Sequence, residues 1–172
     1  MSTSVKAPND PCYRTVMKKT QQTTPDNYRL RERMGFRLSR AARLMQHGLE
    51  LKLAEQGLTR LKWCVLSGVA LEGHSAPSDL ADNIGVARPV VSRLLKTMVS
   101  EGLVARVLDD DDGRGRWITV TKLGREKVDA CWPIVEANQT YFMEKLDATQ
   151  RRQLDVILTA LMADEDKALD SF

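Results

Sequence analysis

Two short stretches hold the side chains best suited to chemistry. In ARPVVSRLLK, residues 87–96, Arg88, Arg93 and Lys96 supply cations, Ser92 a hydroxyl and Pro89 a fixed backbone angle. In DDDDGRGR, residues 109–116, Asp112, Arg114 and Arg116 alternate with glycines. A guanidinium presents a planar fork of donors that fits carboxylate, phosphate or the O6/N7 edge of guanine. The chemistry offered is recognition of an anion, with no bond made or broken. No nucleophile, base and orienting acid stand out as a set. The GRG at 113–115 follows a carboxylate run and opens no helix with a Lys-Ser/Thr pair, so it is not a phosphate-cradling loop. His47 and His74 lack partners at metal-ligand spacing, and Cys12, Cys64 and Cys131 form no CxxC pair. Neither an enzyme nor a bound cofactor or metal is expected.

The elements that must position these residues follow from periodicity. Residues 1–27 are rich in Pro, Ser, Thr, Gln and Asn and read as a mobile arm. Leu30, Met34, Leu38, Ala41, Met45, Leu49 and Leu53 then recur at steps of three or four, a helix over about 28–56 closed by Gly57. Thr59 is placed to cap a second helix reaching Gly73. Pro77 and Asp79 suit the start of a short third helix that stops at Gly85. A fourth runs from about Ala87 to Ser100, with Val91, Leu94, Leu95 and Met98 on one face and the cations on the other. Val104–Asp109 and Arg116–Thr121 are strand-like around DDDGRG, so the acidic octet sits at a hairpin tip. A long helix from Lys122 to about Leu146 follows, with Pro133 expected to kink it. Asp147 and Gln150 form a capping-box pattern before a last helix.

Helix, short glycine-bearing turn, helix, hairpin is the order of a helix-turn-helix with an appended wing. In that geometry the second helix lies in the major groove of duplex DNA. The whole chain resembles the multiple-antibiotic-resistance regulator (MarR) family of winged helix-turn-helix repressors. The resemblance rests on GLTRLKWCVL (57–66), LADNIGVARPVVSRLLKTMVSEGLVAR (80–106) and DDDDGRGRWITVTKLG (109–124), and spans about residues 29–165. The family's wing pattern, Asp-x-Arg-x-Lys/Arg, falls on Asp112, Arg114 and Arg116. Gly113 departs from it, since many members carry a second arginine there.

The resemblance implies a mainly α fold with a small β wing. A DNA-binding domain at 57–121 would lie between dimerisation helices at 28–56 and 122–172, which intertwine with those of a second copy. It implies a homodimeric regulator, expected to be a repressor, on a pseudo-palindromic operator. Arg88, Pro89, Ser92, Arg93 and Lys96 would face DNA, with Arg114 in the minor groove steered by Asp112, and Arg116 beside it. Asp109, Asp110 and Asp111 would point away from phosphate and lower nonspecific affinity. In the family, small aromatic or anionic effectors bind where the dimer helices meet the DNA-binding lobe. Here that region involves the first helix, the 59–72 helix and the start of the 122–146 helix, with His47 and Trp63 as candidates. Trp63 is also expected to fill core space.

Charge distribution agrees with an anionic partner. Residues 1–62 hold 13 Lys/Arg against 5 Asp/Glu, residues 63–124 hold 7 against 8, and residues 125–172 hold 6 against 10. The first third is therefore basic. Arg29, Arg33, Arg37 and Arg40 line the first helix beside its apolar stripe, a pattern usually meaning a solvated face. The longest mostly apolar stretch, residues 63–71, is far below the ~20 residues of a membrane span. With no signal-like start, reduced thiols and a cytoplasmic site near the nucleoid are expected. Two other readings stay open on sequence alone: a thiol-based redox sensor on the same scaffold, working through Cys12, and a winged-helix protein-interaction module that never touches DNA.

Overall fold

The computed structural model describes residues 27–108 and 116–165. The expected mobile arm, Cys12, and Asp112 and Arg114 of the hairpin tip lie outside the described residues, as does the side chain of Arg116. The chain divides into two units, residues 1–40 and 41–172.

In the first unit, a 3-10 turn at Leu30–Glu32 precedes the start of helix α1, Met34–Glu55. The sequence places this helix from about residue 28. Arg33 is instead extended, at φ −73° and ψ 132°, and its carbonyl accepts the Arg37 N–H at 3.0 Å. Arg29, Arg31 and Arg33 are cations at the positive end of a helix, which disfavours extending it backward through them. The Arg33 guanidinium lies 4.8 Å from the Tyr28 ring centroid, and Arg29 pairs with Glu32 at 3.7 Å.

The second unit holds the rest of α1 and the remaining elements. Helix α2 is Arg60–Ala70, α3 Pro77–Ile84 and α4 Arg88–Ser100. Strands β1, Val104–Leu108, and β2, Arg116–Val120, pair antiparallel. Helix α5 is Lys122–Met143 and α6 is Ala148–Met162. Most boundaries have a local cause. Gly57 takes φ 75° after α1, letting the Leu58 N–H return to the Leu53 carbonyl at 3.0 Å. Thr59 caps α2 by accepting from the Lys62 N–H. Pro77 opens α3, and Gly85, at φ 76°, ends it by donating to the Ala81 and Asp82 carbonyls. Asp147 and Gln150 complete the capping box of α6. Pro133 does not break α5, which runs helical through it. The carbonyl four residues back, on Asp129, loses its usual donor because the proline nitrogen carries no hydrogen.

The core gathers Trp63, Val65 and Leu66 of α2, Leu80 and Ala81 of α3, and Val91, Leu95 and Met98 of α4. Val104 and Ile118 of the strands, Val128 and Cys131 of α5, and Leu53 at the end of α1 complete it. All are 6% exposed or less. Helix α6 buries no residue, although Val156, Ile157, Leu161 and Met162 are exposed along it. No helix among the described residues is long and apolar enough to cross a membrane.

One junction joins α4, the hairpin and α5. Gly102, at φ 71°, turns the chain out of α4. Thr121 ends the hairpin, and its hydroxyl donates to the Gly102 carbonyl at 2.6 Å, with the Leu103 carbonyl 3.1 Å away. Its backbone N–H also reaches the Leu103 carbonyl, at 3.2 Å. The same hydroxyl oxygen accepts from the Gly124 N–H at 3.0 Å, so it caps α5 as well. A Cβ on Gly124 would overlap the Leu103 carbonyl oxygen and crowd the Val120 side chain. Only glycine lets α5 start this close to the end of α4. Gly124→Ala should therefore destabilise the fold by roughly 1–3 kcal/mol, despite alanine's better helix propensity. A urea midpoint at or above wild type would show that the junction is looser than described.

Candidate nucleic-acid interface

The α3–α4 pair owes its geometry to a three-residue turn, Gly85, Val86 and Ala87. Glycine supplies the left-handed bend, and buried Val86 pins the turn to the core. Pro89 stands in the first turn of α4, where its missing N–H would have had no partner within the helix. Val91, Leu95 and Met98 are fully buried along one side of α4. This leaves Arg88, Pro89, Ser92, Arg93 and Lys96 exposed together. The five α4 residues singled out from sequence thus share one open face.

These cations are only lightly engaged. Arg88 stands 3.6 Å from Asp82 across the turn, with both side chains well exposed, so water and salt weaken the pair. The Arg93 Nε donates to the Pro89 carbonyl at 3.3 Å, which lays the guanidinium along the helix toward its N-terminus. No side chain caps the start of α4, so the positive end of its dipole is open to an anion.

Polar contacts invisible to periodicity hold this face in place. Lys62 Nζ on α2 meets Glu101 Oε1, at the end of α4, at 2.6 Å. The Ile118 N–H of β2 donates to the Ser75 carbonyl at 2.8 Å, tying the hairpin to the segment before α3. Asn83 donates to Glu72 at 3.1 Å, and His74 stands 3.6 Å from the same carboxylate. The pairing Val107↔Trp117 and Arg106↔Ile118 sets the direction in which the hairpin leaves the core. From α5, Lys127 donates to the Gln56 carbonyl at 2.6 Å and Arg125 to the Ala70 carbonyl at 3.3 Å, so two cations cap the ends of α1 and α2. Lys62, Ser75, Arg125 and Lys127 carry no local signal in the sequence, because their partners lie 39 to 71 residues away.

The effector candidates do not come together. Trp63 is 6% exposed and belongs to the core, whereas His47 is exposed on α1. Neither lines the cavity of about 320 Å³ that opens between α1 and α5. Leu44, Gly48 and Lys52 form one wall, and Ala137, Asn138, Tyr141 and Phe142 the other. Asn138 spends its amide N–H on the Met45 carbonyl at 3.2 Å, which fixes its oxygen's direction. The Tyr141 and Phe142 rings meet edge to face at 5.0 Å, and Lys145 lies 3.9 Å from the Tyr141 centroid. An aromatic pair next to a lysine four residues on was the available sequence signal. Burial pushes the Cys64 thiol up, against the pull of Arg60, and does the same to Cys131 against Lys127. Neither is poised as a thiolate at neutral pH.

Comparison with known proteins agrees with this geometry. A family model described as MarR family matches residues 56–115. A transcriptional activatory protein, BadR, of Rhodopseudomonas palustris is 32% identical over 99 residues, 56% of this chain and 57% of that protein. The match therefore spans little more than half of that relative's length. Among solved structures, CouR from Rhodococcus jostii RHA1 bound to p-coumaroyl-CoA superposes with a TM-score of 0.70 at 25% identity, covering 80% of this chain and 97% of that one. The S. aureus MepR–DNA complex gives a TM-score of 0.71 at 20% identity, over 77% and 96%. Residues 56–115 thus resemble the MarR family in sequence, and the described residues share the fold of these solved structures.

Proposed function

We propose that this protein is a sequence-specific, double-stranded-DNA-binding transcriptional regulator that works as a homodimer. The observation that carries the reading is the open face of α4. Arg88, Ser92, Arg93 and Lys96 stand opposite an apolar face that is fully buried, on the second helix of a helix-turn-helix. Such a helix fits the major groove, with arginine to guanine and serine or lysine to phosphate or base. The hairpin continues the interface. By resemblance, Arg114 enters the minor groove, Asp112 holds its guanidinium by paired hydrogen bonds, and Arg116 adds charge beside it.

The same reading divides the chain into a DNA-binding domain at 57–121 and dimerisation helices at 28–56 and 122–172. Apolar surface supports this division. Leu44 and Leu51 of α1 and Val156, Ile157, Leu161 and Met162 along α6 are exposed apolar side chains that a partner surface would cover. A two-fold dimer covers them and places its recognition helices about 34 Å apart, one turn of duplex. Occupying a promoter in this way favours repression. The Rhodopseudomonas relative bears an activator's name, so promoter placement, not fold, sets the sign.

Release by a small aromatic or anionic effector completes the reading. The Rhodococcus structure holds an aromatic acyl thioester. In this chain the cavity between α1 and α5 offers two aromatic rings, the Asn138 amide and the Lys52 ammonium to such a ligand. Binding there acts only by favouring one spacing of the recognition helices over another.

Two measurements test these statements. Arg93→Ala should cost roughly 1–3 kcal/mol of operator affinity, and wild-type affinity should fall steeply with salt as counterions are released. Unchanged affinity together with a flat salt response would favour the protein-interaction module instead. Lys52→Ala should weaken an aromatic carboxylate or its thioester by roughly 1.5–3 kcal/mol while leaving operator affinity intact, as read by calorimetry. Equal binding by the variant would remove the cavity from the effector site.

A further inference from the structure

The far end of α4 is held by an ion pair whose polarity suits neither helix that carries it. Lys62 Nζ stands 2.6 Å from Glu101 Oε1, with the two side chains 15% and 38% exposed. Lys62 lies in the first turn of α2, where the helix end is positive and disfavours a cation. Its backbone N–H donates to the Thr59 hydroxyl at 3.2 Å, so a glutamate at this position would complete a capping box. Glu101 ends α4, where the helix end is negative and disfavours an acid. The last turn of α4 holds no base of its own. Exchanging the two residues would suit both helices better, so helix stability alone does not account for the pair.

What the pair fixes is direction. Val91, Leu95 and Met98 anchor α4 by apolar contact, which is non-directional and lets a helix rock on its bed. A short bond between two charged groups adds a fixed bearing. Glu101 lies eight residues beyond Arg93, roughly 12 Å along the axis. A tilt of about 10° around that end moves Arg93 by roughly 2 Å, more than a two-pronged hydrogen bond to a base edge tolerates. Phosphate contacts are less exacting, because they rest on charge. Loosening the angle therefore lowers affinity for a particular sequence and spares affinity for duplex in general.

We propose that Lys62 is a positioning residue for DNA recognition: paired with Glu101, it sets the angle at which α4 presents Arg88, Ser92 and Arg93, and so sets how far the protein discriminates its operator from other duplex. The proposal rests on the DNA-binding reading above and adds a residue outside the contact face. Lys62 is held against Glu101 and acts through α4, not on DNA.

The test measures the full chain on two duplexes: one selected from a random pool by the wild type, and one of the same composition with its sequence shuffled. Lys62→Met, which keeps the apolar stem, and Glu101→Gln should each weaken binding to the selected duplex roughly tenfold. Affinity for the shuffled duplex should stay within about twofold, and the slope of log affinity against log salt should not change. The exchanged pair, Lys62→Glu with Glu101→Lys, should fold, since it suits both helix ends, and should recover the selected duplex to within about threefold of wild type. Unchanged affinity for the selected duplex in both single variants would overturn the proposal. So would losses on both duplexes with a shallower salt slope, which would make Lys62 a phosphate contact, or a folded exchanged pair that recovers nothing. If a single variant fails to fold, Glu101→Asp decides, since it keeps the charge and shortens the reach: discrimination equal to wild type there rejects the positioning role. A wild type that enriches no duplex rejects the DNA-binding reading and the proposal with it. A selected duplex that every variant binds as the wild type does rejects only the positioning role.

Discussion

The structure depends on one crowded junction, where the Leu103 carbonyl, the Thr121 hydroxyl and the Cβ-less face of Gly124 meet. Through it the end of the recognition helix, the end of the hairpin and the start of α5 share one set of hydrogen bonds. None of the three can rotate without breaking a bond of the others. The proposed DNA-binding function needs that rigidity, since two groove-reading elements must stay in register with each other. The recognition helix is further anchored by its buried face and by Lys62–Glu101, and the hairpin by the bond to Ser75. Rigidity inside the lobe lets any change along α1 or α5 move the lobe as a body, because Lys127 and Arg125 hold the ends of α1 and α2.

Much of this architecture was legible in the sequence because its signals are local. Gly57, Thr59, Pro77, Gly85, Gly102 and the Asp147–Gln150 box each act within a few residues of themselves, and each appears where its chemistry places it. The open face of α4 was legible for the same reason, since helical period alone sorts Arg93 from Leu95. Contacts across long stretches of chain were not legible. Nothing near Lys127 announces the Gln56 carbonyl, and nothing near Asn138 announces Met45. The cavity between α1 and α5 was not legible for this reason: Trp63 is spent on the core, while the cavity draws on Lys52 and Tyr141, whose helices meet far from each other in sequence. The start of α1 was placed too early because apolar period continues through Leu30 while the arginines there oppose helix formation.

Charge in this protein is sorted by task. Cations on α4 face outward, where the proposed reading gives them phosphate and base. Those on α5 are turned inward onto helix ends, where they act as caps. In the proposed reading Asp109, Asp110 and Asp111, beside the wing arginines in sequence, temper a surface that would otherwise grip any duplex. In the proposed dimer, specificity comes from geometry, with two lobes at a spacing that the dimer helices impose.

That spacing is the most direct thing to measure. Duplexes selected from a random pool by the full-length protein should share a two-fold-symmetric motif whose half-sites lie about one helical turn apart. No enriched sequence, or a single asymmetric site bound by one chain, would contradict the account at its centre.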